Sequence, residues 1–246
     1  RSLHAIRQVT KDPNADGPAI LYRMYRNMGR SDPDSRKLAR VRGLRYDISV
    51  FDHGTLGDEW FKTSGHYHPP LPGVEDISYP EVYEVMYGTA MFLLQKVDDP
   101  RAVMEPGAIP PVTDVILIVV REGERAVMPP NYGHVMINAT DDVVVTSNWV
   151  SSLFNSQYGP YAAARGAAYY VLKDGDGVAL EPNPAYGDVP QCRRGRPRQD
   201  LPALGIESKT PLYTSFYYRP ELWTYVSRPD LCLDELAPEK VIEFAE

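Results

Sequence analysis

Two of the five histidines in the chain, His66 and His68, stand one residue apart in the stretch "GHYH" (65–68). On a strand, side chains two positions apart project to the same face. Two imidazoles entering one space make either a metal site or a crowded polar cluster. Two other stretches carry matching chemistry. "PEVYEV" sets Glu81 and Glu84 among apolar residues, and "VMPPNYGHVMIN" places His134 after a double proline and a glycine. Imidazole nitrogens with one carboxylate oxygen suit a divalent first-row metal and leave a position for water or a substrate oxygen. A single histidine on a strand is more often an ordinary core or surface residue, so the reading rests on the combination. A carboxylate buried in an apolar strand is costly without a positive partner, and a metal supplies one. Glu81 and Glu84 lie three positions apart and face opposite sides of one strand, so only one belongs to an interior site. Periodicity does not choose between them. Glu75 and Asp76, in the proline-bounded loop that follows the histidines, read as solvated.

The elements that would position these groups are short strands. "LRYDISVF" (44–51) alternates around Tyr46, Ile48 and Val50, as a half-buried strand does. "EWFKTSGHYH" (59–68) continues a sheet after the turn "DHGTLGD". "EVYEVMYGTAMFLLQ" (81–95) reads as two strands flanking Tyr87–Gly88, in the manner of a hairpin. "TDVILIVV", "RAVMPP", "HVMINAT" and "DVVVTSNWV" follow, broken at Glu122–Gly123, Pro129–Pro130 and Asp141–Asp142. "AAYYVLKDGDGVAL" adds a hairpin turning at Asp174–Gly175. The N-terminal residues 1–43 hold a short strand or helix in "AILYRMYRNM", a loop, and one helical turn in "GRSDPDSRKLARVRG". The whole reads as an all-β sandwich or barrel. A dinucleotide-binding fold is excluded, since no glycine-rich turn joins a strand to a helix.

Composition agrees. The chain has 23 prolines and 17 tyrosines, a mix that favours strands and rigid turns over a helical bundle. A formal net charge of -7 argues against a nucleic-acid partner, and no apolar run is long enough to span a membrane. Cys192 and Cys232 form no disulfide framework, so a reducing, cytoplasmic setting is expected. We divide the chain into a barrel domain with an N-terminal arm (1–187) and an extension (188–246). The extension begins as a proline- and arginine-rich linker or arm, with Arg193, Arg194, Arg196 and Arg198 on a solvated surface loop. It ends in the aromatic stretch "PLYTSFYYRPELWTYV", which is expected to pack on its own barrel or on a partner subunit.

The motifs taken in order resemble those of the cupin-type, archaeal-type glucose-6-phosphate isomerases. The stretches that carry the resemblance are "FKTSGHYH", "EVYEVMYGTAMFLLQ", "MEPGAIP", "MPPNYGHVMIN" and "SQYGPYAAARG", spanning roughly residues 44–170. The resemblance implies a cupin double-stranded β-helix, or jelly-roll barrel. It implies one divalent metal ion (Fe, Mn, Ni or Zn) held by His66, His68, Glu81 and His134, which leaves Glu84 on the other face. Two departures stand out. The loop from Pro69 to Pro80 is about twice as long as the family's usual one, and Ser156 and Gln157 stand where the family has a histidine before its Tyr-Gly pair.

The activity implied is interconversion of glucose 6-phosphate and fructose 6-phosphate, with a place in glycolysis or gluconeogenesis. Glu81 would move the proton, or a hydride would shift directly between C1 and C2. Tyr83, on the same face as Glu81, would donate to a substrate oxygen or fill the barrel. Thr63, Ser64 and Gly65 would hold the phosphate, with Tyr158, Arg165 and Lys62 around it, and Asn138 and Gln95 would orient groups from behind. The alternatives are a cupin isomerase of other sugar specificity, a metal-dependent cupin dioxygenase with an apolar pocket, and a sugar-binding cupin without a metal. A homodimer is expected, with swapping of the N-terminal segment.

Overall fold

The computed structural model describes residues 1–29, 32–175 and 177–245. In chain order the first strands are β1 (Tyr22–Tyr25), β2 (Leu44–Phe51), β3 (Thr55–Leu56), β4 (Glu59–Lys62), β5 (Pro70–Leu71) and β6 (Val74–Ser78). The central strands are β7 (Glu81–Tyr87), β8 (Thr89–Lys96), β9 (Asp114–Arg121), β10 (Arg125–Met128), β11 (Tyr132–Asn138) and β12 (Val144–Ser151). The last are β13 (Tyr169–Asp174), β14 (Gly177–Pro182), β15 (Arg193–Pro197) and β16 (Ile242–Phe244).

They form two large sheets. One runs β1-β2-β12-β7-β10, and the other runs β14-β13-β4-β11-β8-β9-β15-β16 with β3 beside β4. Successive strands from β9 onward cross between the sheets: β10 joins β7, β11 joins β8, and β12 returns to β7. This alternation is the double-stranded β-helix of the cupins, and the fold is mostly β.

The hairpin expected at Tyr87–Gly88 is a corner instead. β7 and β8 lie in different sheets, so the chain pivots at Gly88 from one layer to the other. Gly88 has φ +81°, and a Cβ there would meet the Val143 carbonyl oxygen at 2.8 Å, so the pivot requires glycine. The β13–β14 hairpin stands as expected, although Asp176 in its loop lies outside the described residues.

Both faces of the long sheet are covered, which explains its unbroken apolar runs. Phe92, Leu94, Ile116, Ile118 and Met136 point into the barrel, whereas Leu93, Val115, Leu117, Val135 and Ile137 pack outside it against Tyr67, Tyr161 and Val171. A strand buried on both faces needs apolar residues at every position.

Two local expectations are corrected, and one of two alternatives is selected. The helical turn expected near residue 35 is a helix, α1 (Pro33–Val41), started by Asp32, whose side chain accepts from Ser35 N at 2.8 Å, and by Pro33 in its first turn. Arg30 and Ser31, in the same stretch, lie outside the described residues. The arginine run of the extension is a strand rather than a solvated loop. β15 pairs parallel with β9 and antiparallel with β16, and Arg193 pairs with Asp114 at 2.5 Å and lies over the Phe244 ring at 4.1 Å. The aromatic stretch packs in cis on the outside of the shorter sheet. Phe216 meets Trp149 there with ring centroids 4.5 Å apart.

Candidate metal centre

Gly65 ends the approach to the site in a left-handed turn. Its φ is +71°, and a Cβ there would strike Tyr161 and Val135 at 2.6 Å. Beyond it the backbone of His66 pairs with that of His134, with N–H to oxygen distances of 3.2 and 3.0 Å. Tyr67 pairs likewise with Gln157. These two bridges turn His66 and His68 inward while Tyr67 packs outward, as side-chain alternation requires.

β11 carries His134 on the face it shares with Met136, opposite Leu94 of β8. β7 is paired on both sides, so Glu81 and Tyr83 face the interior while Val82 and Glu84 face out. Glu84 bonds instead with Arg125 and with Leu212 N, on the back of the sheet.

The Nε2 atoms of His134, His68 and His66 lie 3.1, 3.3 and 3.7 Å from Glu81 Oε2. One ligand atom from each of the four residues falls within 4.8 Å of every other. Only His66 keeps appreciable exposure. Glu81 Oε1 accepts a hydrogen bond from Asn148 Nδ2 at 2.5 Å, while Oε2 is buried without a donor.

His68 Nδ1 lies 2.7 Å from the Tyr79 carbonyl oxygen. A carbonyl only accepts, so Nδ1 carries the proton, and in the neutral ring Nε2 presents its lone pair to the centre. Lone pairs converging on a buried carboxylate oxygen repel one another unless a cation stands among them. The residues therefore fit a divalent metal, with three nitrogens and one oxygen as donors.

Electrostatics point the same way. Burial, followed by the neighbouring His134, pushes His66 down to about 3, which keeps its ring neutral and able to ligate. Burial likewise lowers His134, against the pull of Glu81. For Glu81, burial acts to raise the carboxyl, but the three imidazoles of His134, His66 and His68 gathered around it outweigh that and hold the group well below the usual range. Burial and the Glu81 charge raise Tyr83 well above an ordinary phenol, so it stays protonated. Its hydroxyl lies 3.4 Å from His134 Nε2.

A cavity of about 40 Å³ opens over His66, Tyr83 and His134, and Thr63, Ser64, Gly65 and Tyr158 also line it. Thr63 Oγ1 accepts from Met136 N at 3.0 Å and keeps its own proton to donate. Three residues named from the sequence lie elsewhere. Arg165 is exposed on the turn after Tyr161 and does not line the cavity. Lys62 faces outward, where it bonds the Val9 carbonyl and Glu59. Gln95 bonds Tyr67, Tyr186 and Ala168 N behind β8. Asn138 faces inward but ties the backbone at Asp52 and Asp142.

Several contributors carry no signature in the sequence. Asn148 comes from β12, distant in the chain and in a stretch without histidine or carboxylate. Tyr22 on β1 also lines the cavity and hydrogen-bonds with Ser64. The Arg1 guanidinium lies 5.1 Å from the Tyr158 ring centroid, at the same wall. The long loop 69–80 folds as the β5–β6 hairpin over Leu71, Ile77 and Tyr79, and its end supplies the carbonyl that orients His68. Gln157, standing where the family has a histidine nearby, contributes its backbone to the bridge with Tyr67.

A family model described as glucose-6-phosphate isomerase (GPI) matches residues 8–186. Among solved structures, the chain is similar to recombinant oxalate oxidase in complex with glycolate, with 16% identity and a TM-score of 0.34 over 55% of this chain and 51% of that one. It is also similar to vicilin from hazelnut, Corylus avellana, with 12% identity and a TM-score of 0.35 over 56% and 32% of the two chains. A third likeness is the capsular polysaccharide assembling protein CapF from Staphylococcus aureus, with 18% identity and a TM-score of 0.31 over 45% and 23%. The chain spans about half the length of the oxalate oxidase chains it matches. No curated protein matches it.

Proposed function

Because the chain belongs to the glucose-6-phosphate isomerase family, we propose that it is a metal-dependent isomerase interconverting glucose 6-phosphate and fructose 6-phosphate. The observation that carries the reading is the convergence of His66, His68, Glu81 and His134 on one buried point beside a cavity into which Thr63, Ser64, Tyr83 and Tyr158 are set. A divalent ion held there would act as a Lewis acid on the O1 and O2 oxygens of the open-chain sugar, where charge develops in the reaction.

The chain's own residues set the rest. Asn148 occupies Glu81 Oε1, and Oε2 is turned to the three histidines, so both carboxylate oxygens are committed. In this reading Glu81 is a ligand rather than a proton carrier: a hydride passes from C2 to C1 within the substrate while the O2 hydroxyl proton passes to O1, so that C2 is oxidised as C1 is reduced and no proton is gained or lost overall. Tyr83, buried and protonated, donates to a sugar oxygen from beside His134. The Thr63 hydroxyl, Ser64 and the hydroxyls of Tyr22 and Tyr158 receive the phosphate, with the Arg1 guanidinium behind them. These polar donors favour a phosphorylated sugar over the apolar substrate of a dioxygenase.

The small cavity requires the wall at Tyr22, Met24 and Tyr158 to give way when a hexose phosphate enters. Specificity for another sugar phosphate is the second reading, favoured by the narrow cavity and the long β5–β6 loop. A coupled assay with each hexose phosphate, before and after chelation, tests both readings. Pairing of two copies belongs to the same proposal and would use the β1 edge, which has a partner strand on one side only. Sedimentation equilibrium tests that part. Among the described residues, no helix is long and apolar enough to cross a membrane.

A further inference from the structure

Among the described residues, the hydrogen bonds of the extension beyond residue 187 run not to the four candidate ligands but to the back of two strands that build their site. β7 and β12 pair with Asn148 opposite Tyr83, Trp149 opposite Val82 and Val150 opposite Glu81. Alternation puts Glu81, Tyr83 and Asn148 inside the barrel and Val82, Glu84 and Trp149 outside.

On the outside, both polar groups of Leu212 are gripped. Its N–H donates to Glu84 Oε2 at 2.9 Å, and its carbonyl accepts from Trp149 Nε1 at 3.1 Å. Leu212 opens helix α2 (Leu212–Tyr218), so its N–H has no partner within the helix, and the Glu84 carboxylate satisfies it. Glu84 is paired with Arg125 at 3.3 Å, and Arg125 donates to the carbonyls of Ser208 and Thr210 at 2.7 and 2.5 Å. Glu84, Arg125 and Trp149 are buried, with 7%, 4% and 1% exposure.

Apolar packing alone would hold a surface segment to a sheet. A buried ion pair is expensive to desolvate and adds little net stability, whereas it does fix geometry. Here it stands one sheet thickness behind the bond between Asn148 and Glu81.

We propose that the extension is a positioning element of the metal centre. Leu212, held by Glu84 on β7 and Trp149 on β12, fixes those two strands relative to each other. Their spacing sets the Asn148–Glu81 hydrogen bond, which turns Glu81 Oε2 toward the histidines. Glu84 and Trp149 are thus positioning residues that act through Glu81. The inference rests on the metal-centre reading above.

The test uses the full chain and four variants. Trp149→Phe removes the donor to Leu212 and keeps a ring. Glu84→Ala removes the carboxylate, and Glu84→Gln keeps an acceptor for Leu212 N–H. Phe216→Leu loosens the same packing, against the Trp149 ring, and leaves every hydrogen-bonding group of the clamp in place. Each is titrated with Mn²⁺ by electron paramagnetic resonance and melted without metal, and hydrogen exchange is followed in metal-free peptides spanning 81–87 and 144–151. Trp149→Phe and Glu84→Ala are expected to weaken Mn²⁺ binding about 10-fold or more, as loss of groups that orient ligands commonly does. Glu84→Gln should recover part of that loss, and both strand peptides should exchange faster in the two damaged variants. Phe216→Leu should lower the melting temperature and leave Mn²⁺ affinity within about twofold of wild type. Folded Trp149→Phe and Glu84→Ala proteins that bind Mn²⁺ like wild type would overturn the inference alone. So would a Phe216→Leu protein that loses affinity as they do. Wild-type protein without Mn²⁺ affinity would sink the metal reading and this inference with it.

Discussion

Asn148 donates its side-chain amide to Glu81 Oε1 at 2.5 Å, and the other carboxylate oxygen is left facing His66, His68 and His134. One amide on β12 thereby decides which face of a β7 carboxylate the histidines see. Replacing Asn148 with Ala frees Oε1 and lets the carboxylate rotate. Metal affinity is expected to fall about 10- to 100-fold with the fold intact, the usual cost of removing a group that orients a ligand. Calorimetric titration with Mn²⁺ or Zn²⁺ on protein of normal circular dichroism measures it. Unchanged affinity would show that the bond does not orient Glu81.

Gly65 is held at φ +71° with Tyr161 and Val135 where a Cβ would go. Gly65→Ala adds backbone strain to a packing clash, for an expected loss of roughly 2–4 kcal/mol. Thermal denaturation checks the stability. Because His66 follows directly, metal content should fall as well. A variant as stable as wild type would mean that the turn relaxes freely.

Asp114 ties the extension strand β15 to the barrel through Arg193 at 2.5 Å and accepts from Tyr132 at 2.7 Å. Burial acts to raise its carboxyl, but the bonds from Arg193 and Tyr132 outweigh it and leave it below the ordinary value. With the folded pKa depressed, its contribution is present above the unfolded value of about 4 and is lost as pH falls through the folded one. Melting curves from neutral pH down through that range should therefore drop more steeply for wild type than for Asp114→Asn. Parallel curves would remove Asp114 from the account.

If the hydrogen passes within the substrate, turnover in deuterated water should leave the product largely unlabelled at the carbon that receives it. Mass spectrometry of fructose 6-phosphate formed from glucose 6-phosphate reads this directly. Full deuterium incorporation would restore Glu81, or another group, as a proton carrier.

The alternation rule made much of this site legible before any coordinates. The parity of His66 and His68 holds, and Glu81 and Glu84 do face opposite sides of β7. The choice between the two glutamates came from family resemblance, because both sit in equally apolar surroundings and only the register of β7 distinguishes them. Asn148 could not be read, since an amide between Ser147 and Trp149 looks like any polar strand residue until pairing places it beside Glu81. Gly88 looks like a hairpin turn in sequence because a local pattern shows where a strand ends and is silent on which sheet receives the next one. The arginine run beyond residue 187 resembled a solvated loop for a similar reason. Its partners, Asp114 and the edge of β9, lie some 80 residues earlier. Arg165 and Lys62 suit an anionic substrate by charge alone, and charge does not reveal which face of the fold a side chain takes.

Fructose 6-phosphate conversion, assayed with protein stripped by chelator and reloaded singly with Fe²⁺, Mn²⁺, Ni²⁺ or Zn²⁺, decides whether this is a metal-dependent isomerase. The expected result is glucose 6-phosphate formed by at least one reloaded form and not by the stripped one. The His66→Ala, His68→Ala double variant should neither bind the ion nor turn over. Metal-replete wild-type protein inert toward every hexose phosphate would contradict the isomerase reading, with the cupin fold still standing.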